Sequence, residues 1–360
     1  MKPVGLAVKC ALFFCLIGTH LARASASPAV PAPDLEALFQ RTNGWIGADV
    51  AYSVALDEGT SLWLYGDTLV GEVSEGKRRN AKMINNSIAL QSLGHAPQYF
   101  YRTNSDGTPA SVFAPDDGTN SFFWPWDGAR TARGLFLFFT QVRHTDDKSA
   151  WGFQLFSASC AFVSNPDSPP ASWKTTLKKE PWADFRGKTA TAYGWSAVKF
   201  QNYIYVYGTT AGAAGATVAR APQASLDDFA QWRFFSHGQW QDDPKEATPI
   251  FPDKPPEGTV RWLPALGRFV LVYSEGLSGD IMLREASEPA GPWSEPRAVY
   301  QCPDTKRSKA YFCYAGKAHP ELSEPGELVI TYAVNSNNFF DLFNDPLLYW
   351  PRFLRLKFPW

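Results

Sequence analysis

The chain has 360 residues, is 45% hydrophobic and 15% aromatic, and carries 34 Lys and Arg against 35 Asp and Glu, a formal net charge of -1. A near-neutral chain without a long basic run offers no electrostatic footprint for nucleic acid or an anionic membrane, so neither is expected as a partner. Length alone suggests two or three domains, but single all-β architectures also reach this size.

Residues 1–26, MKPVGLAVKCALFFCLIGTHLARASA, place Lys2 and Lys9 before the apolar run Cys10 to Gly18 and end on Ala24-Ser25-Ala26. That order is a signal peptide with cleavage after Ala26, and it predicts a secreted or periplasmic protein with no membrane anchor after cleavage. The apolar run is far shorter than the roughly 20 residues a spanning helix needs. Residues 27–43 read as a Pro/Ala-rich connector and a short helix, Asp34 to Arg41, with Asp34 as its cap. Of the cysteines beyond the leader, Cys302 and Cys313 are near enough in sequence to close a small loop, leaving Cys160 unpaired; spacing does not establish the geometry of a bridge.

Residues 44–360 read as one all-β domain, because runs rich in Val, Tyr, Phe and Trp alternate with clusters of Gly, Pro, Asn, Asp and Ser. Five strong strands recur, beginning at Ser61 (SLWLYGDT), Gly134 (GLFLFFTQ), Asn202 (NYIYVYGT), Gly267 (GRFVLVYSE) and Glu327 (ELVITYAV). Their spacing of roughly 60 to 70 residues suits one four-stranded sheet plus loops. In the middle three, second apolar segments at Phe153, Ala216 and Ile281 lead toward Trp173, Trp232 and Trp293. The pattern predicts a five-bladed β-propeller, with Leu62 to Gly66 on an inner strand of the first blade; a β-sandwich with long insertions is the competing architecture.

The first repeat contains a carboxylate pair. If Asp57-Glu58-Gly59 is a three-residue loop, Leu56 pairs with Thr60, and continuing that register outward sets Asp49 opposite Asp67. Opposed residues on one face have Cβ atoms about 4.5–5.5 Å apart, and like charges so placed destabilise a strand pair. Two such carboxyls cannot ionise independently, which yields a proton donor beside a nucleophile or base. Retaining glycosidases use a carboxyl separation of about 5–5.5 Å, whereas inverting ones need a wider gap for water.

The runs WIGADVAYSVAL from Trp45, LWLYGDT from Leu62 and NNSIAL from Asn85 resemble a bacterial family of exported five-bladed propellers long labelled a domain of unknown function. Members of that family are assigned as endo-D-arabinanases, retaining glycoside hydrolases that cut the D-arabinan of mycobacterial cell walls. The resemblance is clearest over Trp45 to Leu90 and continues more faintly to HPEL at His319 and LVITYAVN at Leu328. It implies hydrolysis of α-D-arabinofuranosidic linkages in a polysaccharide or oligosaccharide, with Asp49 and Asp67 as the catalytic pair.

Further residues are candidates for contact with the sugar. Thr68, Asn85 and Asn86 lie on or after the first repeat's segments, where turn formation is the competing role. Trp124 and Trp126 in FFWPWDG suit stacking on a sugar face, or burial over the core. Tyr193 and Trp195 in TAYGWSAV precede the third repeat's strand much as Asp49 precedes the first. Glu275 and Glu321 are candidate auxiliary carboxylates, and His319 is the one histidine in a motif, with a hydrogen-bonded structural role as its ordinary alternative.

The sequence has no HExxH or paired Cys/His spacing, no G-x-S-x-G, no P-loop and no dinucleotide glycine fingerprint. No metal ligand and no cofactor is required by the sequence, while an ion on the axis, held by carboxylates and His319, stays open. Two other functional readings stay open: an inverting propeller glycosidase of arabinan/xylan type using carboxylates from different blades, and a non-catalytic glycan-binding propeller.

Overall fold

The computed structural model describes residues 29–147, 152–185, 190–211, 215–252 and 257–358, so the expected signal peptide lies outside the described residues. All five repeated segments become the second strand of an antiparallel sheet: Thr60–Tyr65, Gly134–His144, Tyr203–Thr210, Arg268–Ser274 and Glu327–Ser336. The first strands of these sheets are Tyr52–Asp57, Phe122–Thr131, Thr191–Phe200, Thr259–Leu263 and Tyr311–His319. Each sheet has four or five strands, and we number them one to five in chain order. Leu62 to Tyr65 thus lie on the second strand of sheet one, next to the first.

The near-continuous apolar runs of the second strands are explained by what covers them. Side chains alternate between the two faces of a strand. Leu135, Leu137 and Phe139 pack with Leu62 and Leu64 of sheet one, while Phe136 and Phe138 pack with Ile204 and Val206 of sheet three. Tyr205 and Tyr207 turn the other way, onto Leu271 and Tyr273 of sheet four. Val270 and Val272 meet Leu328 and Ile330 of sheet five, and Val329 of that sheet packs with Trp63 and Tyr65 of sheet one. Each sheet is therefore sandwiched between two others, and the fifth packs back on the first.

One hydrogen-bonded network joins the first strands of all five sheets. The buried Asp127 carboxylate accepts from Arg261 Nη1 at 2.6 Å and Nη2 at 3.0 Å, and from the Ala197 N–H at 2.9 Å. Arg261 Nη2 also donates to the Ser53 carbonyl at 3.2 Å, and the Ser53 hydroxyl pairs with His319 Nδ1 at 2.5 Å. A buried Arg and Asp are tolerated together because each satisfies the other's charge and the remaining lone pairs find backbone donors.

Three local expectations are corrected. The helix runs Pro33–Phe39, with Ala32 rather than Asp34 at its cap position, because Pro33 starts the helix with a pre-set φ. Asp34 instead sits in the first turn and binds Arg355 in bidentate fashion, at 2.7 Å for both contacts. The hairpin turn is Glu58-Gly59 alone, since Asp57 pairs with Thr60 and Leu56 is bulged. That bulge restores the expected register, and Ala55↔Ser61 through Tyr52↔Leu64 follow it. Finally, the segment expected as a connector supplies an edge strand, Val30–Pro31, to sheet five.

Cys302 and Cys313 are bridged, tying the chain after the last strand of sheet four to the first strand of sheet five, and Cys160 is free and buried. Closing a loop of this length is expected to stabilise the fold by about 3 kcal/mol through the unfolded chain. A Cys302→Ser, Cys313→Ser double variant should therefore lose about that much in denaturant unfolding, and reductant should shift the wild type toward it while leaving the variant unmoved.

Candidate active site

A second, smaller sheet interrupts sheet one and positions the carboxylates. It is formed by Asn43–Ala48, Thr68–Ser74 and Lys77–Ile84, with Ala48 opposite Thr68. Asp49 occupies the bend between Asn43–Ala48 and Tyr52–Asp57, and Asp67 the bend between Thr60–Tyr65 and Thr68–Ser74. Between the pairs Ala48↔Thr68 and Tyr52↔Leu64 the two aspartates face each other, and the Asp49 N–H reaches the Asp67 carbonyl at 3.4 Å. Val50 and Ala51 carry the turn with φ of 70° and 51°, a left-handed conformation that is costly for a β-branched residue.

The two carboxylates are held differently. Asp49 Oδ2 accepts from the Tyr314 hydroxyl at 2.6 Å and the Tyr349 hydroxyl at 3.0 Å, while its Oδ1 is buried without a donor among the described residues. Asp67 takes both its donors on Oδ1, from Trp124 Nε1 at 2.9 Å and Asn85 Nδ2 at 3.2 Å. Gly66 lies against the pair: a Cβ there would stand 2.5 Å from Asp49 Oδ1 and 2.7 Å from Val50 Cγ2. Gly66→Ala is expected to push Asp49 off its position and lower turnover about a hundred-fold, measured as kcat beside a melting curve that stays within a few degrees of wild type.

Burial, then the charges of Asp67 and Glu257, push Asp49 well above the usual carboxylate range despite its two tyrosine donors. Burial also raises Asp67, to about 6, with Trp124, Asn85 and His144 opposing and Glu257 adding to the shift. Glu257 is itself raised by burial, against the pull of Lys317. Both carboxyls are thus raised, with burial the leading cause for each, and the different donors on the two side chains favour keeping the proton on one and the charge on the other. Such a split is what acid and nucleophile or base roles require.

Of the sequence candidates, Asn85 and Trp124 join the pair directly. Thr68 is fully buried and ties the bend instead, donating to the Gly66 carbonyl at 2.8 Å and pairing with Ser87 Oγ at 2.8 Å. Asn86 is also fully buried, and its amide spans the Phe113 and Phe123 backbones. Trp126 packs against the clusters between sheets one and two, two and three, and three and four, as a plug between their edges. Tyr193 and Trp195 lie in the core, because a register shift between Tyr193 and Ser196 turns both rings into the packing between sheets. His319 is buried between Ser53 and Thr331, and burial holds its imidazole neutral. Glu321 binds the Ser53 hydroxyl at the Arg261 network, and Glu275 is exposed at a turn.

The sequence reading missed Glu257, Tyr314, Lys317 and Tyr349. Glu257 had one legible signal: it precedes the first strand of sheet four by two residues, much as Asp49 precedes that of sheet one. The Pro-rich run around it reads as an ordinary loop. Beside Trp124 and His144 opens a cleft of about 400 Å³ lined by Ser121, Arg143, His144, Gln154 and Phe156 among others. Trp124 stands edge-on to Phe153 at 4.8 Å, and Phe122 tilts against His144 at 5.0 Å. His144, on the lining of this cleft, is the residue through which it reaches Asp67.

Comparison with known proteins adds the family. Residues 33–360 match the model of a domain of unknown function, DUF5005. The chain belongs to the DUF5005 family. No curated protein matches it by sequence. The crystal structure of a Bacteroides ovatus protein provisionally assigned as a hydrolase superposes on this DUF5005 chain with a TM-score of 0.74 and 20% identity, over 91% of this chain and 89% of that one. The two share a fold. An enzyme of glycoside hydrolase family 43 from Xanthomonas citri has a TM-score of 0.48 at 13% identity, covering 91% of this chain and 93% of its own. The catalytic domain of a family 62 α-L-arabinofuranosidase from Coprinopsis cinerea has 0.48 at 12%, covering 93% and 96%.

Proposed function

We propose that this DUF5005 protein is an exported glycoside hydrolase whose five large sheets are the blades of a propeller, and that Asp49 and Asp67 perform the hydrolysis. The observation that carries the reading is the facing pair itself, two buried carboxyls held by different hydrogen-bond donors and both raised above the usual carboxylate range. Asp49 is the proton donor to the leaving oxygen. Asp67, anchored through Oδ1 by Trp124 and Asn85, presents Oδ2 to the anomeric carbon. The Trp124 wall and the adjoining cleft suit a chain of sugars rather than a single terminal unit, which favours endo cleavage of a polymer.

The sequence resemblance over Trp45 to Leu90 makes α-D-arabinofuranosidic linkages of a cell-wall D-arabinan the first substrate to try. A digestion screen against D-arabinan, L-arabinan, fructan and xylan, with products resolved by size, tests the proposal. Release of short oligosaccharides from D-arabinan is the expected result. Binding without product from any of the four would replace the enzyme with a glycan-binding propeller. Glu257 gives the inverting alternative a specific carboxylate, since its charge is felt by both aspartates.

A further inference from the structure

The proposed reaction makes no use of the most unusual charge near the pair. Lys317, on the first strand of sheet five, is 0% exposed. A lysine is almost never fully buried without a partner. Its Nζ donates to the Ala315 carbonyl at 3.3 Å, lies 4.3 Å from the centre of the Tyr52 ring, and stands 4.0 Å from Glu257 Oε2. That carboxylate oxygen is buried with no hydrogen-bond donor among the described residues, as is Asp49 Oδ1.

Local backbone puts the lysine there. Tyr314 pairs with Ala333 and Lys317 with Thr331, so the strand carries one residue more than its partner between them. Such a bulge brings two residues three apart onto one face, where plain alternation would oppose them. The same irregularity that lets Tyr314 reach Asp49 therefore turns the ammonium toward the carboxylates.

We propose that Lys317 is a positioning residue: a fixed internal cation that sets how protons are shared among Asp49, Asp67 and Glu257, without touching substrate. The charged groups that face it are Glu257, Asp49 and Asp127, which favour its protonated form, and Arg261, which opposes it. Burial brings it down to about 8, so it carries its charge at neutral pH. Three carboxyls crowded together resist holding more than one negative charge, and a cation among them permits the second. Without it the group would hold one proton more at working pH, with Glu257, the carboxyl 4.0 Å from the ammonium, first to take it.

The effect on turnover rests on the glycosidase reading, but the effect on protonation does not, so two readouts are needed. Carboxyl carbon-13 NMR titration of the full chain, wild type against Lys317→Met and Glu257→Gln, reads the protonation directly. Removing the cation should move the carboxyl midpoints up by about 1 unit or more, and removing the neighbouring carboxylate should move those of Asp49 and Asp67 down. On the glycan cleaved by wild type, both limbs of the kcat/KM profile of Lys317→Met should shift to higher pH, with kcat falling and KM little changed. Unmoved midpoints in a folded Lys317→Met variant would overturn the proposal. If that variant does not fold, unmoved midpoints in Glu257→Gln would do so. Shifted midpoints in a protein that cleaves none of the glycans would uphold the charge-setting role while removing the glycosidase reading.

Discussion

Replacing Asp67 by asparagine is expected to abolish hydrolysis and to make the protein more stable at neutral pH. The amide keeps a carbonyl oxygen for Trp124 and Asn85, so the local shape survives. It loses the anionic oxygen that the proposed mechanism uses to attack, and loss of a nucleophile or an essential acid lowers turnover by more than about a thousand-fold. Stability moves the other way. The carboxyl titrates at about 6 in the folded protein against a reference value of 3.8, so the native state binds its proton more tightly than the unfolded chain does. The stability this confers is complete below about pH 4 and is lost as pH rises through 6. Asparagine cannot lose it. At pH 7 the variant should gain about 3 kcal/mol, the equivalent of two pKa units, and at pH 4 close to nothing. Urea unfolding at the two pH values, beside activity, checks both halves. A loss of stability at pH 7 would mean that the hydrogen bonds to Asp67 outweigh its desolvation. Asp49→Asn should likewise be inactive and folded; near-normal turnover in either variant would remove that residue from the pair.

Hydrolysis should retain the anomeric configuration of the substrate. Asp49 and Asp67 face each other across adjacent bends whose backbones hydrogen-bond. If facing backbones bring the carboxyls to the roughly 5–5.5 Å of retaining enzymes, no water fits between sugar and base, and the proposed attacking atom is a carboxylate oxygen, with water entering in a second step. In the proposed reaction Asp49 would donate its proton first and accept one from that water afterwards, which requires it to be neutral at the start. Its raised pKa supplies that state, from burial and from the charges of Asp67 and Glu257. The pH profile should be bell-shaped, with a lower limb near 6 and an upper limb above it, both belonging to the coupled group rather than to single residues. Proton NMR of the first-formed sugar, recorded before mutarotation, reads the outcome. An inverted anomer would transfer the base role to a carboxylate on another sheet, with Glu257 first in place of the Glu275 and Glu321 suggested by sequence.

The facing aspartates were legible because register is arithmetic. A Gly-containing turn and period-two alternation fix which residues oppose each other, and a bulge at Leu56 compensated for a turn one residue shorter than expected. The five second strands were legible for a related reason: each is covered on both faces, so each is written as an unbroken apolar run. Side-chain direction was not legible where a strand departs from alternation. Tyr193 and Trp195 looked like site aromatics and are core residues because the register shifts beside them. Tyr314 and Lys317 looked like strand residues and reach the carboxylates because a bulge turns them there.

By itself, the sequence determined the all-β class, the repeat that yields five stacked sheets, and the opposition of Asp49 to Asp67, since all three follow from local patterns of period two and turn chemistry. Only the tertiary structure decided which residues surround that pair. Tyr349, Lys317 and Glu257 lie hundreds of residues from Asp49 along the chain and meet it because the last sheets pack back toward the first. It is the burial of the two aspartates among these distant residues, with the charge of Glu257 adding to it, that raises both carboxyls, and no motif records it.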